Sequence, residues 1–395
     1  MISVEEAKRL LFSGIEKSKP VAMHITEAFG CVLAEDIFSP IDLPSFNQSA
    51  MDGYAVASVD KNRKEFKIVG EIKAGDAGSI HLQAGEAVKI FTGAEVPVSA
   101  DAIVIQEKVE HTNGSIHLSD DLRQGDCIRF KGSQIKKGEL ALAKHTPLNP
   151  AVIGFLASLG IATVNIYKKP VVSLVVTGNE LVKPGNNLND GQVYESNSYS
   201  LLAALHPMHI KPKNIFTAKD KLQDLKAKIG TSLDESDIII LTGGISVGKY
   251  DLVHDAVKEC EVETIFYKVA QKPGKPFFAG KLNDKIIFAL PGNPASVMVC
   301  FYEYIYPAIR MIQGLENTEL PKIKLKLLNE IKKKEDRALF LRSKKRNDGV
   351  LVLEKQDSNV LRSFAEADSL VYVPVEKQTI NQGEEVEVHL LPFNN

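Results

Sequence analysis

Leu241–Val253 reads LTGGISVGKYDLV and follows Ile238-Ile239-Ile240. An apolar run therefore ends at Thr242-Gly243-Gly244, and Ser246, Gly248 and Asp251 precede a new apolar period that opens at Leu252. A short continuous apolar run bounded by glycines reads as a strand buried on both faces. The paired glycines read as a sharp turn that also lets a ligand approach the backbone without a Cβ in the way. Successive free N–H groups ahead of a helix form an anion site, strengthened by the helix dipole. Ser246 offers a hydroxyl donor, and Asp251 stands where it would cap the helix carrying Val253, Ala256, Val257 and Cys260. An equally good reading of this one loop is structural, a tight turn followed by an ordinary cap.

The same grammar extends on both sides of this loop. Val171–Val176 is another apolar run, helical stretches are expected near 198–205 and 221–229, and strands at 264–269 and 286–290 lead into a long helix over 294–312. Fully apolar strands alternating with helices indicate a parallel sheet covered on both faces. Lys168-Lys169-Pro170 marks a boundary before this unit. Ahead of it, short apolar stretches at 66–69, 87–91 and 102–105 lie between glycine turns and predict a β-rich module. Ser3 and Glu6 have capping-box spacing for a first helix, and Pro150 opens another over 151–159. After Pro321, five short strands (323–328, 338–342, 350–353, 370–375 and 386–391) predict a small β-barrel or sandwich.

Bulk properties exclude several classes. The chain has 395 residues, 44% of them hydrophobic and 25% charged, with a net charge of −2. That balance gives no support for nucleic-acid or anionic-membrane binding. No apolar run approaches the roughly 20 residues of a membrane span, and the N-terminus lacks a secretory pattern, so a cytoplasmic location is expected. Cys31, Cys127, Cys260 and Cys300 are widely spaced and read as reduced, packed thiols.

In an open parallel sheet, ligands bind beyond the carboxyl ends of the strands. The expected strands end at Thr177-Gly178-Asn179-Glu180, at Asp220, at the Gly243-Gly244 loop, and at Pro291-Gly292-Asn293-Pro294. Asn293 with Pro294 behind it is an ordinary helix start, with Asn293 as its cap. Lys268, Lys272 and Lys275 lie within one Pro/Gly-stiffened segment, and lysine is a point-charge partner for phosphate. Acidic and basic groups at one edge suggest a phosphorylated ligand with a hard cation such as Mg²⁺, for which Glu180, Asp220 and Asp251 are the candidates. Asn47–Ala55, NQSAMDGYA, reads on its own as a polar loop, and Thr92-Gly93-Ala94 as another.

SAMDGYA, FTGA, VVTGNELV, LTGGISVGKYD, QKPGKPFFAGK and LPGNPAS occur here in the order and spacing of one family. The chain resembles the MoeA family, the molybdopterin molybdenumtransferases, and is similar to the E domain of gephyrin. The resemblance covers nearly the whole chain. It implies an enzyme that inserts molybdate into adenylylated molybdopterin and releases AMP in a Mg²⁺-dependent reaction. It implies functional roles for Asp52, Thr92, Glu180, Asp220, Asp251, Lys268, Lys272, Pro291, Pro294 and Ser363. Of these, Asp52, Asp251, Lys268 and Lys272 are the catalytic candidates. Thr92, Thr177, Gly178, Glu180, Gly243, Gly244, Ser246, Gly248, Lys275, Pro291, Gly292, Asn293, Pro294 and Ser363 are the substrate-binding candidates. The family usually has an aspartate where this chain carries Gln134, a neutral amide.

The resemblance further implies a multidomain α/β and β protein. Its parts are a discontinuous helical and extended linker domain (1–45 and 145–168), a β-rich module (46–144), a doubly wound, mostly parallel MogA-like α/β domain (169–318), and a C-terminal β-barrel (319–395). The union of 1–45 with 145–168 comes from the resemblance alone. So do the expected homodimer with clefts between subunits, and partners such as a molybdopterin adenylyltransferase and downstream molybdoenzyme maturation proteins. The rival readings are an ATP-dependent molybdopterin adenylyltransferase, which shares only the α/β domain, and a non-catalytic scaffold.

Overall fold

The computed structural model describes residues 1–57, 63–76, 80–245 and 252–392. Its central sheet has six strands in the order Asn214–Ala218, Val172–Thr177, Ile238–Thr242, Lys285–Leu290, Phe278–Leu282, Glu263–Tyr267. The first four run parallel, Phe278–Leu282 runs antiparallel to both neighbours, and Glu263–Tyr267 thereby returns to the common direction. Phe278–Leu282 is a strand that the sequence pattern does not announce. It forms a hairpin with Lys285–Leu290 through Asn283-Asp284, with Asn283 at φ 52°.

The apolar runs are continuous because the sheet is covered twice. Ile238 and Ile240 enter one core with Leu201, Ala204 and Leu205 of helix Asn197–Leu205. Ile239 and Leu241 enter a second core with Leu225 and Ile229 of helix Leu222–Glu235 and Val253 and Val257 of helix Leu252–Glu259. All four of these strand residues are 0% exposed. Burial of each such side chain contributes about 1.5–3 kcal/mol, so the strand's position in the sheet is strongly determined.

The helix expected over 294–312 is one axis with a defect. Helix Pro294–Cys300 passes through a π turn, Phe301–Ile305, into helix Tyr306–Ile312. Pro307 is the physical cause, because it has no N–H for the Glu303 carbonyl and its ring would press on that carbonyl. The Tyr306 N–H bonds Phe301 O instead, one residue further back than in an α-helix.

Helix Val4–Ser13 starts as expected, with the Ser3 Oγ accepting from the Glu6 N–H at 3.1 Å. It packs Val4, Ala7 and Leu11 into the first core of the α/β sheet. Farther along, Pro20–His24, Thr163–Tyr167 and Val32–Leu33 form a three-stranded sheet. Ile25, Leu33, Leu148, Leu156, Val164 and Ile166 share a single core there, which joins segments more than a hundred residues apart in sequence.

Between them, Ala102–Ile105, Gly53–Val56, Glu86–Ile90, Glu65–Ile72, Ser115–Leu118 and Val109–Thr112 form a six-stranded sheet in that order. The reading of Asn47–Ala55 as a loop needs correction. Its last three residues belong to Gly53–Val56, a wholly buried strand paired on both sides, and Gln48–Ser49 pairs with Ile128–Arg129.

In the C-terminal region Lys322–Lys326, Glu385–Leu390, Ser369–Val373, Ala338–Arg346 and Gly349–Val352 pair in sequence around a barrel. A bridge between Leu327 and Val350 closes it. Gln271–Lys272 of the α/β domain adds a short parallel strand beside Ala338 and Leu339.

Candidate functional site

The carboxyl ends of the four parallel strands are tied to one another by specific contacts. Thr177, buried at the end of its strand, donates its hydroxyl to Asp220 Oδ1 at 2.7 Å. The Asn179 N–H donates to Asp220 Oδ2 at 3.1 Å, and the Asp220 N–H returns a bond to Asn179 Oδ1 at 3.3 Å. Gly243 donates its N–H to Leu290 O at 3.2 Å. Asn197 Nδ2 donates to Gly292 O at 2.9 Å. Thr177, Asp220, Gly243 and Gly292 thus belong to one connected group of loops.

The glycines of this group are not equivalent. Gly243 (φ 84°) and Gly244 (φ 65°) occupy the left-handed region. A Cβ on Gly243 would strike the Thr177 carbonyl, and one on Gly244 would lie 2.7 Å from Thr177 Cγ2. Both glycines are therefore required by loop packing, in keeping with the sharp turn expected of them. Gly292 is exposed, is not at positive φ, and a Cβ there would meet only Gly243 Cα at an ordinary 3.7 Å. The fold does not require glycine at 292, and this leaves an open approach to the backbone at that point.

Other expected residues have partners of their own. Lys272 Nζ is paired with Glu335 of the C-terminal barrel, and this hydrogen bond holds the Glu335 carboxyl below its ordinary range. Lys268, at φ 70°, places Nζ 4.6 Å from the Tyr267 ring centroid. Lys275 O accepts from the Val269 N–H at 3.1 Å. Of the three lysines, Lys272 is thus engaged in an ion pair. Asn293 stands at the helix N-cap position but makes no side-chain cap bond. Its Nδ2 reaches Ser358 Oγ at 2.8 Å instead, so Asn293 holds the expected N-cap position without the side-chain bond of a cap. Pro291 is buried, whereas Gly292 and Asn293 are exposed. Ser363 is buried in the C-terminal region, where its Oγ accepts from Arg342 Nε at 3.2 Å and bonds Lys355 O at 3.1 Å. Ser246, Gly248 and Asp251 lie outside the described residues.

Asp52 and Thr92 form a separate pair in the β-rich module. Asp52 Oδ1 accepts from the Thr92 N–H and from its hydroxyl, each at 2.7 Å. The backbone bond first and the hydroxyl second hold the Asp52 carboxyl below its ordinary range. Gln134 is exposed, with its N–H on Leu43 O at 2.9 Å.

Sequence reasoning missed Asn197 and Ser358. Asn197 comes after Glu195-Ser196, and the Glu195 carboxylate already satisfies the Ser198 N–H at 2.8 Å. The Asn197 amide reaches Gly292, and its Oδ1 is buried with no hydrogen-bond partner. Of the metal candidates, Asp220 spends one bond on each oxygen and retains lone pairs, and Glu180 is exposed. Mg²⁺ keeps several waters and takes one or two carboxylates plus phosphate oxygens, so this donor set fits it. No group of three His, Cys, Asp or Glu side chains able to hold a metal occurs among the described residues. No helix among them is long and apolar enough to cross a membrane.

Known proteins share the same layout. Residues 2–160 match the MoeA N-terminal region (domain I and II), residues 173–311 the "Probable molybdopterin binding domain", and residues 324–391 the MoeA C-terminal region (domain IV). The chain is 32% identical to the molybdopterin molybdenumtransferase of Haemophilus influenzae, covering 100% of this chain and 99% of that protein. It is 32% identical to molybdopterin molybdenumtransferase 2 of Mycobacterium tuberculosis, over 98% of this chain and 99% of that one. A crystal structure of the molybdopterin biosynthesis MoeA protein from Pyrococcus horikoshii superposes with a TM-score of 0.83 at 32% identity, covering 99% of both chains. These matches span the chain from the first helix to the closing barrel, and the chain belongs to the MoeA family, the molybdopterin molybdenumtransferases.

Proposed function

We propose that this chain inserts molybdate into the dithiolene of adenylylated molybdopterin and releases AMP, with the reaction seated on the Thr177, Asp220, Gly243 and Gly292 loops. The observation that carries this reading is Gly292, a glycine that packing does not require, at the edge where four strand-end loops meet. A planar pterin or its phosphate can approach the backbone there at no steric cost.

The residues take distinct roles. Thr177 and Asn179 fix the Asp220 carboxylate, and Asp220 with Glu180 would hold Mg²⁺. When bound, that ion neutralises charge on the phosphate of the departing AMP. Lys268, Lys275 and, once released from Glu335, Lys272 supply positive charge to substrate oxyanions. Asp52, kept ionised by Thr92, serves the step from the β-rich module, and Asp251 and Ser246 contribute by motif. Molybdate enters as a substrate oxyanion. A homodimer with clefts between subunits, a cytoplasmic setting and a molybdopterin adenylyltransferase supplying the adenylylated pterin complete the reading.

AMP release from adenylylated molybdopterin, measured with and without molybdate and Mg²⁺, tests it. Dependence on both is the expected result. Release indifferent to molybdate would sink the transferase reading, and consumption of ATP would favour the adenylyltransferase rival.

A further inference from the structure

Helix Pro294–Cys300 has no side-chain cap of its own. Its start is held from another part of the chain. The Ala295 N–H donates to Ser358 O at 3.1 Å, and Asn293 Nδ2 donates to Ser358 Oγ at 2.8 Å. One residue thus takes the place of a capping residue, through its carbonyl for the helix and its hydroxyl for the residue ahead of it. Ser358 lies beyond strand Gly349–Val352 of the barrel, whereas the helix it holds comes after strand Lys285–Leu290 of the α/β sheet.

The stretch that carries Ser358 is itself stiff. Arg342, 0% exposed, donates Nη2 to Lys355 O at 3.1 Å and to Asp357 O at 3.0 Å. Gln356 and Arg342 exchange two bonds, the Arg342 N–H to Gln356 Oε1 at 3.0 Å and Gln356 Nε2 to Arg342 O at 2.9 Å. On the opposite flank, Asn197 grips Gly292 O at 2.9 Å. Residues 292–295 are therefore suspended between a helix of the α/β domain and a braced loop of the barrel.

We infer that Ser358 is a positioning residue for the transferase reaction, holding the Gly292–Ala295 backbone in the geometry that substrate meets. The inference rests on the reading that Gly292 lies against substrate. It makes the C-terminal barrel part of the site's construction without requiring it to touch the reacting atoms. A side-chain hydrogen bond of this kind is worth up to about a tenfold effect.

The test compares AMP-release kinetics of the full-length protein with those of Ser358→Ala, Ser358→Thr, Asn293→Ala and the Ser358→Ala/Asn293→Ala double variant. Ser358→Ala should lower kcat/KM about tenfold, chiefly through KM for the adenylylated pterin. Ser358→Thr keeps the hydroxyl and should recover most of the loss. The double variant should be no worse than the poorer single variant, because both substitutions remove one bond. Hydrogen exchange at the Ala295 amide should quicken in Ser358→Ala. Wild-type kinetics in a folded Ser358→Ala protein, no rescue by threonine, or additive losses would each overturn the inference. If Ser358→Ala does not fold, the exposed-side variant Asn293→Ala with Ser358→Thr decides the same question. A wild-type protein that releases no AMP with molybdate instead overturns the functional reading, before any variant is made, and the role of Ser358 falls with it.

Discussion

Asp52 Oδ1 accepts both the N–H and the hydroxyl of Thr92 at 2.7 Å, which makes two residues from different motifs into one unit. Both are exposed, so the pair contributes little to stability, and its consequence is electrostatic. The folded pKa of Asp52 is depressed by its bonds to Thr92, which favours the charged carboxylate. Asp52→Asn should cut kcat/KM by about tenfold or more while leaving Tm unchanged. Thr92→Val keeps the larger backbone contribution and loses the hydroxyl. It should therefore move the acidic limb of the pH–rate profile upward. A Thr92→Val profile that overlays wild type would remove Asp52 from the pH-dependent step.

Gly243 and Gly292 make opposite predictions. Gly243→Ala places a Cβ against the Thr177 carbonyl at φ 84°, and should cost about 1–3 kcal/mol of stability, seen as a lower Tm. Gly292→Ala meets nothing closer than 3.7 Å and should melt with wild type. Its kcat/KM should fall, because the new methyl occupies the approach to the backbone. A Gly292→Ala enzyme with full activity would move the substrate away from this loop.

The fold is legible in the sequence where its signals are local. Ile238–Thr242 can be read because a strand buried on both faces has to be apolar at every position. Phe278–Leu282 is harder, because Gly280 and Lys281 interrupt its pattern, although the Asn283-Asp284 pair between two apolar runs is a hairpin signal. Gly53–Val56 escapes because its small residues owe their burial to strands on either side. The loop ends at Thr177, Asp220, Gly243 and Gly292 can be collected from the alternation of strand and helix. Their links cannot, since nothing in the local sequence connects residue 293 to 358 or residue 272 to 335. The packing reason for the paired glycines is hidden for a similar reason, because the obstacle to a Cβ at Gly243 is a carbonyl sixty-six positions earlier.

Lys272 and Glu335 bear on whether the lysine serves substrate. The pair is partly exposed, with side chains 38% and 26% accessible, so its contribution to stability is small. If Lys272 meets substrate oxyanions, Glu335 competes for it. Glu335→Gln should then lower KM for the anionic substrate, and Lys272→Ala should raise it about tenfold. A rise in KM for Glu335→Gln would mean that the pair orients the lysine rather than restraining it.

A buried ionic cluster joins the first helix, the π turn and the barrel, and it sets a pH window for stability. His389 Nδ1 lies 2.6 Å from Glu303 Oε1, and Nε2 lies 2.8 Å from Glu387 Oε1. Two carboxylate acceptors require both nitrogens to carry protons, so the ring is cationic. Lys8 Nζ completes the cluster at 2.7 Å from Glu303 and 2.9 Å from Glu319, and Tyr372 stacks on the imidazole with centroids 5.9 Å apart. Burial opposes charge on Glu303, but Lys8 and His389 outweigh it and hold the carboxyl at about 2. Burial likewise opposes charge on His389, and Glu303 with Glu387 raises its pKa above the ordinary value. The raised histidine contributes stability that is complete below its unfolded value of about 6.5 and is lost as pH rises through the higher folded value. The depressed glutamate contributes stability that is present above about 4.3 and is lost as pH falls toward 2. Tm should therefore be greatest between these limits. His389→Gln should lower stability at neutral pH by an amount on the order of 3–5 kcal/mol, seen as a lower Tm, and should flatten the alkaline decline. An alkaline limb unchanged in His389→Gln would assign it to another group.

Asp52 and Asp220 offer a test of the dimer reading. Asp52 immediately precedes strand Gly53–Val56 in a module with its own sheet and cores, and its side chain is bonded within that module. Asp220 is bonded among the loops at the edge of the α/β sheet. A two-fold dimer has two equivalent clefts, and each can take one residue from either chain. We therefore expect Asp52 of one subunit to serve the cleft that contains Asp220 of the other. Asp52→Asn and Asp220→Asn subunits, each at about a tenth of wild-type activity or less when alone, are mixed and re-associated. In a mixed dimer one cleft then collects both substitutions and the other collects neither. Random pairing of equal amounts makes half the dimers mixed, each with one intact cleft of two, so about a quarter of wild-type AMP release should return. Pull-down through a tag on one subunit measures how many mixed dimers formed. If they form in that proportion and no activity returns, Asp52 serves the cleft of its own chain or acts outside it, and the shared-cleft reading is wrong.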